Sequence, residues 1–174
     1  MPEDGVTTYR DLVYGDISFP NADLDDQILL KTDGFPTYNF ANVIDDQTMG
    51  ITHVVRGSEY LSSTPKYNLL YEAFGWEIPT YIHLPLIMGK STDENGKEIV
   101  SKLSTRHGSS AFMYLVAESY LPEAIINYIA LLGWAPDSTK EIFTLKELEE
   151  EFDINRISKS PSVFDYDKLT WVNS

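Results

Sequence analysis

The stretch from 51 to 88, ITHVVRGSEYLSSTPKYNLLYEAFGWEIPTYIHLPLIM, restricts the fold more than any other part of the chain. It opens as a buried strand with Ile51, Val54 and Val55, then becomes charged at Arg56 and Glu59. A helix follows. Thr64 suits an N-cap, and Pro65 suits the first helical position, where no N–H is needed. Leu69, Leu70, Ala73 and Phe74 form an apolar stripe, and Gly75 is a stop signal. YIHLPLIM then reads as a second buried strand. Strand, helix, strand predicts a βαβ unit with a parallel pair and a right-handed crossover.

The flanking segments extend this frame. YRDLVYGDISF mixes β-formers with alternation, and DDQILLKTDGFPTYNF reads as a strand, an Asp-Gly turn and a second extended piece. From Ser110 onward the pattern is helical. AFMYLVAESY predicts one helix, and Pro122 opens another that turns Ile125, Tyr128, Ile129 and Leu132 inward and closes at Gly133. Thr144 and Glu147 form a capping box before TLKELEEEF, and Asp165 caps a last helix over YDKLTWV. The expected class is α/β, with a mixed half over about 1–108 and an all-helical half over about 109–174.

Composition excludes several functions. A net charge of −14 over 174 residues argues against an autonomous nucleic-acid binder, which carries a basic face or stripe. The chain has no cysteine, so disulfides and thiolate metal sites are excluded, and His53, His83 and His107 are not at zinc-ligand spacing. No apolar run reaches membrane-spanning length, and the start MPEDGVTTYR is no signal peptide. A soluble cytoplasmic protein without protein-bound zinc is the expectation.

Against this acid excess, SKLSTRHGSS at 101–110 is a short basic loop carrying Lys102 and Arg106. The ordinary account of such charges is solvation. The loop follows a strand of the βαβ unit, however, and in open α/β folds ligands bind beyond the carboxyl ends of strands, where cations and backbone N–H groups hold phosphates. Arg56 and Glu59 follow the other strand, where a surface ion pair is the ordinary alternative. Tyr38 and Asn42 share one face if PTYNFANVIDD is extended. Asp45 and Asp46, adjacent on a strand, would face opposite ways and read as a turn or strand-end cap. His53 and His83 read as packing histidines.

With these residues in place, FPTYNFANVIDDQTMGITHVVRGSEYLSSTPKYNLLYEAFGW resembles the catalytic domain of bacterial glutamyl-tRNA synthetases. YLPEAIINYIALLGWAP and INRISKSPSVFDYDKLTWVN resemble the helical stem-contact region that follows it. SKLSTRHG stands where the family carries its second class I signature, Lys-Leu-Ser-Lys-Arg. The resemblance implies the second half of a Rossmann-type catalytic domain at 36–108, preceded at 1–35 by the end of an inserted acceptor-binding domain and followed at 109–174 by the stem-contact region. It implies an internal part of a longer enzyme, without the His-Ile-Gly-His half of the catalytic domain and without the anticodon-binding part.

The implied reaction activates L-glutamate with ATP and Mg2+ to glutamyl-adenylate, then transfers the glutamyl group to the 3′ end of tRNA(Glu). By the resemblance, Tyr38 and Arg56 hold the glutamate side-chain carboxylate and Asn42 helps hold the amino acid. Glu59 and Tyr60 lie against the ATP ribose and adenine, and Lys102, Ser104 and Arg106 serve the phosphate side. The implied partners are the tRNA(Glu) acceptor stem and no membrane, with a monomeric enzyme. Thr105 replaces the signature's second lysine, which neutralises the phosphates; loss of such a contact costs roughly 10²–10³ in rate. The expected reading is a ligase part, inactive alone. The alternatives are a non-catalytic tRNA- or partner-binding module and a small stand-alone ligase.

Overall fold

The computed structural model describes residues 1–103 and 111–174. They form two compact units, Met1–His83 and Leu84–Ser174. In the first, β1 (Val6–Asp11) and β2 (Gly15–Pro20) form an antiparallel hairpin. Alternate β1 side chains are buried, as a strand with one covered face requires. Helix α1 (Tyr38–Thr48), β3 (His53–Gly57), α2 (Thr64–Phe74) and β4 (Thr80–Leu84) follow. The sheet order is β2-β1-β4-β3, with β1 and β4 parallel. The predicted strand–helix–strand unit is β3, α2 and β4: the two strands are neighbours, and the Thr80 N–H donates to the Thr52 carbonyl at 2.9 Å. Tyr9, Val54 and Tyr81 pack together in this unit, as do Val43, Tyr67 and Tyr71.

Several expectations change here. PTYNFANVIDD is helix α1 rather than an extended piece, so Asp45 and Asp46 lie within a helix and not at a strand end. Before it, Leu30 and Pro36 make an isolated antiparallel bridge around the Asp33–Gly34 turn, with Gly34 at φ 85°. Just past the helix, the left-handed backbone of Gly50 (φ 68°) lets the Ile51 N–H reach back to the Asp46 carbonyl. Ser63 takes the N-cap position of α2, one residue before the expected Thr64. His83 is fully buried, whereas His53 is exposed and is no packing residue.

YIHLPLIM is not one strand. It is divided between β4 and β5 (Ile87–Thr92), and Pro85, which has no N–H to give a ladder, stands in the break. In the second unit β5 pairs antiparallel with β6 (Glu98–Lys102) and parallel with β7 (Ser162–Val163). The region after 109 is therefore not all-helical. Its helices are α3 (Phe112–Ala117), shorter than expected, α4 (Pro122–Gly133), α5 (Leu145–Glu151) and α6 (Tyr166–Asn173). The Thr144–Glu147 capping box and the Asp165 cap are both formed. Leu115, Ile125, Tyr128, Leu132, Phe164 and Leu169 make the main core.

Candidate active site

The first unit brings three of the sequence-selected residues, Tyr38, Arg56 and Tyr60, into one cluster. Arg56 stands near the end of β3, where the chain leaves the sheet for a single 3-10 turn, Ser58–Tyr60. Its guanidinium carbon is 5.4 Å from the centre of the Tyr60 ring and 5.1 Å from that of Tyr67, which projects from α2. Both distances fall within cation–π range. The Tyr67 hydroxyl donates to Asn39 Oδ1 at 2.9 Å, which ties the α2 side of this cage to α1.

Helix α1 closes the cage through one stripe. Tyr38, Asn42 and Asp46 are spaced four apart and therefore share a helix face. Tyr38, at one end, packs its ring 6.1 Å from Tyr60. Asp46, at the other, places Oδ2 3.9 Å from Arg56 Nη2. Asn42 lies between them. Its Oδ1 is buried without a hydrogen-bond partner, and Arg56 Nη1 is in the same condition. A buried polar atom without a partner costs about 1–3 kcal/mol, so the unpartnered guanidinium nitrogen leaves a donor available to a polar ligand. The guanidinium is restrained on one edge by a long ion pair and sits between aromatic faces. This arrangement suits a planar carboxylate, which arginine binds through two parallel N–H groups.

The surroundings adjust the ionisable groups accordingly. Burial raises the Asp46 pKa, with Asp45 adding and Arg56 opposing. Burial also raises Tyr38, helped by the Tyr60 hydroxyl, and raises Tyr67 against the effect of Arg56. Tyr38 and Tyr67 are thus held as neutral hydrogen-bonding groups. Glu59 is exposed on the turn and lies over Gly57: a Cβ there would stand 1.9 Å from Glu59 Oε2.

Of the phosphate-side candidates, Lys102 alone is among the described residues. Lys102 is exposed at the end of β6, in register with Met88, in the second unit. It is a strand residue, not a loop residue. Ser104, Thr105 and Arg106 lie outside the described residues. Asp46 was missed because PTYNFANVIDD read as extended, and Tyr67 because nothing local in α2 points to its meeting with Arg56. Read at helical spacing, Tyr38, Asn42 and Asp46 fall on one line. Among the described residues no group of three or more His, Asp or Glu side chains is placed to hold a metal ion. No described helix is long and apolar enough to cross a membrane.

The profile of the family described as tRNA synthetases class I (E and Q), catalytic domain, matches residues 1–171. A glutamate–tRNA ligase of Clostridium novyi (strain NT) is 59% identical over 172 residues, which is 99% of this chain and 34% of that protein. One from Clostridium kluyveri is 60% identical over the same shares. The chain thus spans about a third of the length of these relatives. The crystal structure of a glutamate tRNA ligase from Elizabethkingia meningosepticum, in complex with its amino acid, superposes with a TM-score of 0.80 at 38% identity, covering 99% of this chain and 36% of that one. The glutamate-tRNA synthetase of Elizabethkingia anophelis gives a TM-score of 0.80 at 37% identity, over 99% of this chain and 37% of its own. With an α/β fold shared at that level and a family match along nearly its whole length, the chain belongs to the class I tRNA synthetases (E and Q), as a part of their catalytic domain.

Proposed function

We propose that this chain is part of a glutamate–tRNA ligase and that the Arg56 cage holds the side-chain carboxylate of L-glutamate. The observation that carries the reading is Arg56 Nη1, a buried guanidinium nitrogen without a hydrogen-bond partner; Asn42 Oδ1, on the α1 face that also carries Tyr38 and Asp46, is likewise unpartnered. A carboxylate satisfies the first, and an amino-acid N–H satisfies the second. Tyr38, exposed at the start of α1, adds a hydroxyl at the rim. With the side chain fixed, the substrate α-carboxylate is free to attack the α-phosphorus of ATP. One P–O bond forms, the bond to pyrophosphate breaks, and glutamyl-adenylate results. Positioning of this kind accounts for much of the barrier reduction in such transfers.

In the same reading Glu59 and Tyr60 face the ribose and adenine of ATP, and Lys102, Ser104 and Arg106 serve its phosphates. Mg2+ accompanies ATP and supplies charge neutralisation on the phosphates. The acceptor stem of tRNA(Glu) meets residues 109–174, the stem-contact region. Residues 1–35 are the end of the acceptor-binding insertion and 36–108 the second half of the nucleotide-binding fold. The enzyme works as a monomer in the cytoplasm. The chain alone makes no glutamyl-adenylate, since it spans about a third of its relatives' length and carries Thr105 where the signature has lysine.

The test joins this chain to the remaining parts of the Clostridium novyi relative and measures glutamate-dependent ATP–pyrophosphate exchange. The joined enzyme should exchange with glutamate and not with glutamine, and Arg56→Ala should raise the glutamate KM roughly 30-fold or more, as expected for stripping a buried charged group of its partner. An unchanged KM would remove Arg56 from the substrate site.

A further inference from the structure

Behind the cage runs a chain of polar groups that the amino-acid site does not use. Asp11 ends β1 and His83 lies in β4, and both side chains have no solvent exposure. Asp11 Oδ1 accepts the Val13 and Tyr14 N–H groups at 2.9 and 2.8 Å. Asp11 Oδ2 accepts the His83 N–H at 3.0 Å and stands 2.7 Å from His83 Nδ1. On the other side of the ring, His83 Nε2 is 3.2 Å from Thr64 Oγ1, and the Thr64 hydroxyl reaches the Tyr60 carbonyl at 2.9 Å. Tyr60 carries the ring that faces both Arg56 and Tyr38.

We propose that Asp11, His83 and Thr64 are positioning residues that set Tyr60, and through it the Arg56 guanidinium, by the order of protons along this chain. The argument is a count of protons. Three backbone N–H groups already converge on the Asp11 carboxylate, so Asp11 is an acceptor and Nδ1 of His83 must carry a hydrogen toward it. Nε2 is then an acceptor when the ring is neutral. Thr64 has a single hydroxyl hydrogen and two acceptors in reach, Nε2 and the Tyr60 carbonyl, so neutral His83 competes for it. When the ring gains a proton, Nε2–H donates to Thr64, and the Thr64 hydrogen is committed to the Tyr60 carbonyl.

The groups facing His83 come from every surrounding element. Asp11 and the Tyr9 ring come from β1, the Tyr81 ring from β4 itself and Thr64 from α2. Arg56 from β3 and Glu59 from the 3-10 turn act at longer range with opposite signs. Burial is the largest influence and lowers the His83 pKa, with Asp11 opposing. The neutral, competing state is therefore favoured near neutrality, and the committed state is reached on acidification.

The relevance to substrate rests on the Arg56 reading, but the experiment needs no ligand. In the 174-residue chain, NMR follows the His83 ring nitrogens, the Tyr60 carbonyl carbon and the Arg56 Nε resonance from pH 8 downward. The Tyr60 and Arg56 signals should shift with the same midpoint as His83. In Thr64→Val His83 should still titrate while the Tyr60 response is lost, and Thr64→Ser, which keeps the hydroxyl, should retain it. The wild-type and Thr64→Ser profiles decide the matter if the valine variant does not fold. Three results would overturn the proposal: Tyr60 indifferent to His83, a Tyr60 response that survives Thr64→Val, or a His83 ring that never titrates before the chain unfolds. Failure of glutamate to bind would overturn the Arg56 reading instead and leave these profiles unchanged.

Discussion

Replacing Asp11 by asparagine tests the buried chain at its root. The carboxylate is fully buried and meets four donors: the Val13, Tyr14 and His83 N–H groups and His83 Nδ1. Asparagine keeps one oxygen, which can still accept from Val13 and Tyr14. Its amide NH2 would then face the His83 N–H and Nδ1–H, donor against donor. Two buried donors left unpaired would cost about 2–6 kcal/mol at roughly 1–3 kcal/mol each. Histidine has a way to recover half of this. Moving its hydrogen from Nδ1 to Nε2 makes Nδ1 an acceptor for the new NH2 and lets Nε2–H donate to Thr64. That leaves the His83 backbone N–H as the unpaired donor, so the expected loss is about 1–3 kcal/mol, with roughly 2–4 °C of melting temperature per kcal/mol for a chain of this size. Urea unfolding gives the free energy, and amide exchange across β1 and β4 assigns it to the first unit. The ring nitrogens give the tautomer directly. A loss above about 4 kcal/mol would show that the hydrogen does not move to Nε2. A loss under about 0.5 kcal/mol would refute the role of Asp11 as acceptor for buried donors.

Stability of the first unit should also depend on pH through His83. Its folded pKa is lowered from the ordinary value of about 6.5, so between the two values the unfolded chain binds more protons. Stability should be full above about 6.5, be lost as pH falls through that window and flatten below the folded pKa, and urea midpoints of His83→Gln should lack this slope. In the second unit Leu169, with no exposure in the main core, should cost about 2–5 kcal/mol on Leu169→Ala, read as a lower urea midpoint. Glu147, whose carboxyl is held down to about 2 by Lys140 and the Thr144 cap, should titrate nearer its usual range in Lys140→Ala, as seen in its carboxyl carbon shift. In the joined enzyme Thr105→Lys should raise the single-turnover rate of adenylate formation roughly 10²-fold while glutamate affinity stays the same, because a charge meeting the phosphates as they depart stabilises the transition state. A change under about twofold would mean that position 105 is not the functional lysine site.

Much of the first unit was legible in the sequence because its signals are local. Pro65 and Gly75 bracket α2, and apolar runs mark β3 and β4. The Asp165 cap and the Thr144–Glu147 box are likewise short-range patterns, and they formed where the residues predict. The misreadings arose where two periods compete. In PTYNFANVIDD every second residue is not apolar, but Phe40, Val43 and Ile44 are spaced for a helix, and Gly50 supplies the stop. Tyr and Asn, weak helix formers, weigh against that period until tertiary packing decides. Pro85 was equally visible, yet a single apolar run around it still read as one strand.

The candidate site was legible as a set of residues but not as a mechanism of support. Arg56 could be selected from its place after a strand. What holds it could not, because its neighbours come from α1, α2 and the 3-10 turn, and they meet only in three dimensions. The Asp11–His83 pair is the sharper case. Its partners are 72 residues apart, and neither has a local pattern that asks for the other. A lone buried histidine in an apolar strand carries the same sequence signature whether it fills space or orders a proton chain. The difference lies in whether both ring nitrogens have partners. His83 has Asp11 on one and Thr64 on the other, and Thr64 is thereby withdrawn from the helix cap its sequence position suggests. Ser63 holds the N-cap position without a capping hydrogen bond, and the Thr64 hydroxyl, one residue on, is engaged instead with the Tyr60 carbonyl and the His83 ring.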